Sequence, residues 1–416
     1  MKKWIVGLVA LLLPLAWGEV KVVNVQVKPR WPWNGKVDIT YSLECEEVDG
    51  EGKPKDIYVE FMGFDHDRDR EIQLKTLTGE GADGAVKAGG PYTVTWDAAK
   101  DEPGFNSSSF DVKIHAMAGL GTYMVVNLEN GSVRYSANPP NLDDDTCRTT
   151  ELWLRKIMPG TFTMGSPSDE LGRDSNETQH EVTLTQIFYI GVFEVTQRQW
   201  ELVKNTRPSY FKNDSYYATR PVEQVSYNMI RGTGSMAGAG WPEYGHAVDA
   251  NSFLGLLQAR TGLVFDLPTE AEWEYACRAG TTTALNSGKN LTSTGSDDNM
   301  SEVGRYWYNG GSGYSSTCTP EYGTAKVGSY LPNAWGIYDM HGNVWEWCLD
   351  WYNSNYGTAA VVDPKGPSTG SYRVLRGGLW DYGARYCRSA YRGGNGGPSG
   401  SDGRSGFRVA CWPLVR

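Results

Sequence analysis

The chain has 416 residues, more than one hydrophobic core usually organises, so two domains are expected. Its 50 glycines, 16 tryptophans and 24 tyrosines, with only 40% hydrophobic residues, exclude a plain helix bundle and point to turns and aromatic packing. A formal net charge of -10 without a long acidic run excludes general nucleic-acid binding, which needs a basic face against phosphate; solubility is the ordinary reason for such a charge.

In chain order, Lys2 and Lys3, the apolar run Ile5 to Leu15 and the small-residue step Ala16-Trp-Gly18 read as an export signal over residues 1–18. The run is too short to span a bilayer, and no later segment reaches about 18 uninterrupted apolar residues. The expected location is secreted or periplasmic, without a transmembrane anchor. No cysteine follows the apolar run at its end, which argues against a lipid anchor there.

Residues 19–118 alternate apolar and polar positions in short runs, such as Val20 to Val27, Val37 to Leu43 and Phe110 to Ile114, separated by glycine-rich turns. They predict a β-sandwich of immunoglobulin-like shape, a spacer or docking module with no catalytic constellation. Residues 119–150, with Asn138-Pro-Pro-Asn141 and the aspartates 143–145, read as a strand and a linker.

From 151 to 416 the texture is short helices in long loops. Thr196 with Gln199 and Thr269 with Glu272 fit the capping box, in which a threonine oxygen and a returning polar side chain satisfy the free amides of a helix start. Helices are expected over about 196–204 and 269–278, with a third from Asp249 to Arg260 ended by Gly262. Residues 286–313 show little periodicity and are expected to be ordered only by packing or by ions. Seven cysteines, an odd number, leave at least one free or paired outside the chain in an oxidising compartment; their spacing fits no zinc pattern.

The blocks Met158 to Gly165, Thr178 to Thr183, Phe193 to Gln197, Arg220 to Glu223, Leu267 to Ala276, Gly342 to Trp347, Arg373 to Gly378 and Gly406 to Arg408 occur in that order. Together they resemble the formylglycine-generating enzyme (sulfatase-modifying factor) family over roughly residues 150–416. The resemblance implies an α+β chain in which the N-terminal sandwich precedes a variant of the C-type lectin fold with little regular secondary structure.

It also implies a structural calcium wrapped by Asp339 to Glu346, with carboxylate oxygens from Asp339 and Glu346 and main-chain oxygens at Gly342 and Val344, an oxygen-rich shell that suits calcium. By themselves these residues are a tight turn with two acids. The family oxidises a sulfatase cysteine beside two copper(I)-binding cysteines, four and nine positions after the glycine pair, because copper(I) selects thiolates. Here those positions are Tyr382 and Cys387, and matching Arg388 to Arg392 to the family's arginine-flanked motif moves Cys387 off the site. Leu379 stands where the family has serine. Cys387 is therefore a residual catalytic candidate, with Cys348 or Cys411 as a possible second thiol, and copper is expected only in that case. Five scattered histidines without ligand spacing disfavour the family's iron-dependent relatives.

Between Leu379 and Cys411 the chain has no Lys, Glu, Gln or Met and is rich in Tyr, Gly, Ser, Asn, Asp and Arg, residues that present contact surface as antibody loops do. The segment is similar to the variable proteins of diversity-generating retroelements, whose randomised adenine-rich codons yield these residues and none of the missing four. Glycine-rich turn geometry alone also accounts for such a composition. The leading expectation is a non-catalytic protein that binds an unknown protein or surface ligand through Trp380, Asp381, Tyr382, Arg385, Tyr386, Tyr391, Asn395, Asp402 and Arg404. The alternative is a copper-dependent oxidase converting a sulfatase cysteine to formylglycine.

Overall fold

The computed structural model describes residues 20–412 apart from 47–53, 55, 69, 75, 81, 83–84, 119–121, 137, 234–247, 311–318 and 320. The expected export signal and Cys318 lie outside the described residues. The chain divides into two compact units, Met1–Leu120 and Gly121–Arg416.

In the first unit the period-two pattern forms strands with one inward face. Val37, Ile39, Tyr41 and Leu43 of strand Lys36–Glu44 are buried, while the residues between them are half-buried. This strand lies between Lys21–Pro29 and Gly89–Asp97, with Leu77–Gly79 at the far edge. A second antiparallel sheet is built on Ile57–Asp65, which pairs with Phe110–Ala118, Arg70–Gln73 and Ala85–Val86. The two sheets share one core. Tyr41 of the first meets Phe61 of the second edge to face at 5.4 Å, and Trp96 stacks on Phe110.

The second unit is organised by a six-stranded sheet in the order Val133–Ser136, Tyr123–Asn127, Glu151–Ile157, Phe188–Gly191, Ala410–Cys411, Phe265–Asp266. The segment read as strand and linker is thus structural from its first strand onward. Tyr123, Met124, Val125 and Val126 are all buried in a strand next to the sheet edge, and Thr146–Thr149 forms a short helix. The Pro-Pro and aspartate run that suggested a linker only joins these two pieces.

Both capping boxes form. Thr196 caps helix Gln197–Lys204, and Thr269 caps Glu270–Arg278, with the Glu272 carboxylate accepting from the Thr269 amide at 2.8 Å. The third helix runs Phe253–Thr261, four residues later than expected at its start, because Ser252 rather than Asp249 is the cap. Gly262 ends it in the left-handed conformation. A helix at Asp298–Val303 gives order to part of the aperiodic stretch, with Asp297 accepting from the Met300 amide. Among the described residues no helix is long and apolar enough to cross a membrane.

The C-terminal blocks meet in one small sheet, Gly393–Gly396, Arg373–Arg376, Trp345–Trp351 and Ser405–Gly406 in that order. A fragment starting at Gly121 should unfold in one cooperative thermal transition. One starting at Asp145 lacks two strands of the six-stranded sheet and uncovers Leu152 and Leu154, so its near-UV circular dichroism midpoint should fall well below that of the longer fragment; equal midpoints would refute this division.

Candidate functional site

The Arg373-Val-Leu-Arg-Gly-Gly378 block ends in two left-handed glycines, with φ of +91° at Gly377 and +80° at Gly378. A Cβ on Gly378 would sit 2.6 Å from the Cys387 sulfur and 2.7 Å from the Tyr386 carbonyl, so only glycine lets the following loop fold back over this point. The loop's course is set by its main chain. Trp380 N–H donates to Asn343 O (2.9 Å), Ala384 N–H to Gly295 O (2.9 Å) and Ser389 N–H to Ala284 O (2.8 Å). His341, fully buried, donates from Nδ1 to Cys387 O (2.6 Å) and accepts at Nε2 from the Asn286 amide (3.0 Å). That pair of bonds fixes a neutral ring, and burial pushes its pKa down to about 4.

On this frame the expected contact residues separate into two groups. Trp380 is a packing residue, only 1% exposed, with its ring edge to face with Phe211 at 5.4 Å and its indole N–H toward Gly403 O. Tyr382, Tyr386 and Tyr391 are half-buried and run edge to face, 5.0 Å from the first to the second and 5.1 Å from the second to the third, with Trp345 beyond. Arg404 lies over the Tyr382 ring and pairs with Asp381 at 2.8 Å, while Arg385 pairs with Asp174 at 2.6 Å. Asp402 is exposed but turned back on its own chain, where it accepts from the Arg404 amide and Ser405 hydroxyl. Asn395 belongs to the strand Gly393–Gly396, and its side chain lies outside the described residues.

The loop does not act alone. Trp307 and Tyr308 are 48% and 57% exposed, and the Trp307 amide donates to Tyr382 O at 3.0 Å. Sequence reasoning missed this pair because the surrounding segment has no periodicity; the run Tyr306-Trp-Tyr308 was the available signal. Its base is rigid: Tyr306 is buried and exchanges hydrogen bonds with the Asp297 main chain at 2.7 and 2.8 Å.

Among the described residues the cysteines are all free. Cys387 is fully buried among Ala284, Leu285, Leu291, Met300, Val303 and Tyr306, and burial pushes its pKa up to about 12. Cys348 lies on strand Trp345–Trp351 and Cys411 on the six-stranded sheet; both are buried, both are free, and burial raises both thiols. Cys277, near the Met340 carbonyl, is likewise pushed up to about 12. Burial in an apolar cluster disfavours the thiolate, the form that acts as nucleophile.

Around the expected calcium segment, Asp339, Gly342 and Asn343 all take positive φ, which coils the chain tightly. Asp339 accepts from the Gly328 amide through Oδ2, while its buried Oδ1 has no hydrogen-bond partner, an acceptor that fits a cation. Glu346 does not fit as it stands. Its two oxygens are closed by Arg408 Nε and Nη2, each at 2.6 Å, and by the Trp273 indole at 2.6 Å. Glu194 takes the Val344 amide and the Asn343 side chain, and burial, with Asp339 and Glu346 nearby, raises its pKa. Among the described residues no group of three or more His, Cys, Asp or Glu side chains is arranged to hold a metal ion.

Short helices and small sheets that carry long, internally bonded loops define a C-type-lectin-like domain. The chain belongs to the sulfatase-modifying factor enzyme 1-like domain family, which it matches over residues 145–412. It is 31% identical over 312 residues to the formylglycine-generating enzyme of Mus musculus, a match that spans 67% of this chain and 80% of that enzyme. Among solved structures it is similar to PvdO from Pseudomonas aeruginosa, with a TM-score of 0.50 and 26% identity over 62% of this chain and 94% of that one. Treponema denticola variable protein 1 follows at a TM-score of 0.49 and 27% identity over 64% and 96%.

Three buried carboxyls outside the loop bear on stability. Burial pushes Asp350 up to about 8, aided by Glu270, and Glu223 and Glu272 up to about 7. Raised acid pKa values favour the folded state below the unfolded values near 4, and that stability is lost as pH rises through the folded ones. The depressed His341 acts oppositely, contributing stability above about 6.5 that is lost as pH falls toward 4. Of these four groups only the acids act above pH 6.5, so the unfolding free energy should fall from pH 6.5 to 8, by up to about 1.4 kcal/mol per pH unit for each group titrating, and the thermal midpoint with it. Asp350→Asn, which keeps an acceptor for the Glu270 amide (2.8 Å), should flatten that slope; an unchanged slope in thermal melts would contradict the assignment.

Proposed function

We propose that this protein binds a protein or surface ligand through the face formed by Trp307, Tyr308, Tyr382, Tyr386 and Tyr391 with Asp381, Arg385 and Arg404, and does not carry out cysteine oxidation. The carrying observation is the state of the thiols. Tyr382 occupies the position the enzymes give to the first copper-binding cysteine, and Cys387 is sealed in an apolar cluster that holds it protonated. The aromatic face beside them is half-open to solvent and backed by rigid main-chain bonds, the preorganised kind of surface that binding loops use.

In this reading the chain is exported by its N-terminal signal, and the first unit, immunoglobulin-like in shape, is a spacer or docking module. The missing Lys, Glu, Gln and Met between Leu379 and Cys411 support diversification of the loop by a retroelement. Calcium enters through Asp339 and the main-chain oxygens of Gly342 and Val344, without Glu346 while Arg408 holds it. Its addition should raise the unfolding midpoint and its chelation lower it, with Asp339→Asn abolishing the difference. A calcium-independent midpoint in calorimetry would remove the ion from this account.

A second reading, a copper-dependent oxidase acting on a sulfatase cysteine, is favoured by the length of the match to formylglycine-generating enzymes. The two separate in one assay. With copper supplied and a peptide carrying Cys-x-Pro-x-Arg, no oxygen consumption and no formylglycine are expected; turnover would sink the binding-only reading.

A further inference from the structure

Behind Trp380 lies a buried carboxyl that the proposed recognition does not use. Glu223 is fully buried, and both of its oxygens face main-chain amides: Oε2 accepts from Tyr210 N–H at 2.9 Å and Oε1 from Phe211 N–H at 3.0 Å. The Ser209 hydroxyl donates to the Glu223 carbonyl and accepts from the Glu223 amide, each at 3.2 Å. Residues 209–211 are thus clipped to one glutamate, by its side chain and its backbone.

Glu177, Glu270, Glu274 and Glu346, likewise buried, each meet an arginine. Glu223 forms no ion pair among the described residues. Of the charges around it, Lys212 is exposed and acts only through its field, and Arg220 turns to Thr319 O and the Tyr216 ring. Asp381 and Arg404 are paired with each other at 2.8 Å, and Asp402 accepts from the Arg404 amide and the Ser405 hydroxyl.

Three segments of the site meet at this carboxyl. Phe211 holds the Trp380 ring edge to face at 5.4 Å, and the Trp380 indole N–H points to Gly403 O. A Cβ added at Gly403 would sit 3.3 Å from the Tyr210 Cβ and 3.6 Å from Glu223 Oε2, so the chain at 403 rests directly on the clip. The Gln224 amide donates to Asp402 O at 2.8 Å. Asp381, Tyr382 and Arg404 extend from these same segments into the binding face.

A carboxylate shut away from water and without a cation loses solvation that two amide bonds only partly replace. Burial accordingly pushes Glu223 up to about 7, whereas water in an opened seam would return it to its ordinary value of about 4.3. The closed seam therefore holds a stability that is complete below the open value, shrinks as pH rises between the two, and is gone above the closed one.

We propose that Glu223 is a proton-operated latch on the binding face: protonated, it keeps Tyr210 and Phe211 seated against Trp380 and Gly403; ionised, it favours release of that seam and a looser setting of Asp381, Tyr382 and Arg404. Its bearing on ligand capture rests on the binding reading above, but the opening itself is tested without a ligand.

The test is hydrogen–deuterium exchange of the full chain by mass spectrometry, corrected for the intrinsic rate at each pH. Protection in peptides covering 207–213, 378–384 and 400–406 should fall by up to about tenfold per pH unit from about 5 to 7 and level off above about 7.5. Strand Glu151–Ile157 and helix Phe253–Thr261 should change far less. Glu223→Gln, which keeps an acceptor and never ionises, should flatten the profile at its acid-side level. Phe211→Leu, which leaves the carboxyl in place, should raise exchange in the 378–384 and 400–406 peptides at every pH while the slope stays. A flat parent profile, an equal fall in the two reference elements, a Gln variant with the parent's slope, or a Phe211→Leu variant with both peptides unchanged would each overturn the latch. Such a failure leaves the binding reading standing, whereas formylglycine formation in the oxidase assay would strike the binding reading and leave the latch.

Discussion

The second unit depends on arginine–glutamate pairs taken out of water. Arg388 is gripped by Glu177 through both nitrogens of its fork and by Glu170 at 2.6 Å; Arg392 meets Glu270 at 2.7 and 2.9 Å; Arg376 bonds Glu274; Arg408 closes Glu346. Every one of these arginines comes from the last fifty residues, and each glutamate from an earlier segment. Among the described residues the helices reach only nine residues, so local hydrogen bonding cannot fix the loops by itself. Pairs of this kind add little net stability over an apolar replacement, but removing one partner strands a buried charge at a cost of about 3–5 kcal/mol. They act as registration marks: the fold closes only when the C-terminal third arrives in the correct place.

This explains what could be read from the residues and what could not. The capping boxes at Thr196 and Thr269 are local chemistry and were legible as helix starts. The role of Glu270 and Glu274 was not, because a glutamate on a short helix looks like solvated surface until an arginine more than a hundred residues away covers it. The same limit applies to Trp380. In a glycine-rich loop an aromatic residue reads as a contact, yet its depth is set by Phe211, which nothing in its own segment announces. Residues 119–150 were read as a strand and a linker; the strand forms as Tyr123–Asn127, but the prolines and aspartates hid a second strand, Val133–Ser136, and the helix Thr146–Thr149.

Chemistry at the site follows from the same packing. The apolar cluster that surrounds Cys387 takes away the solvation a thiolate needs, which outweighs the charge of the neighbouring Arg388. A position that could serve redox chemistry when open to solvent here serves as a core residue. In the binding reading proposed above, the work of this surface falls to its half-exposed rings and guanidinium groups.

The loop from Trp380 to Ser389 is anchored at its ends by buried side chains, Trp380 on Phe211 and Arg388 on Glu177, and along its course by its own peptide groups. Asn343, Gly295 and Ala284 accept from its amides, and His341 donates to the Cys387 carbonyl. Peptide groups are the same whatever the side chain, so the half-exposed rings at 382 and 386 can be exchanged while the path of the segment stays constant. Such a scaffold is evolvable: new specificities can be tried on it without each one having to solve the folding problem again.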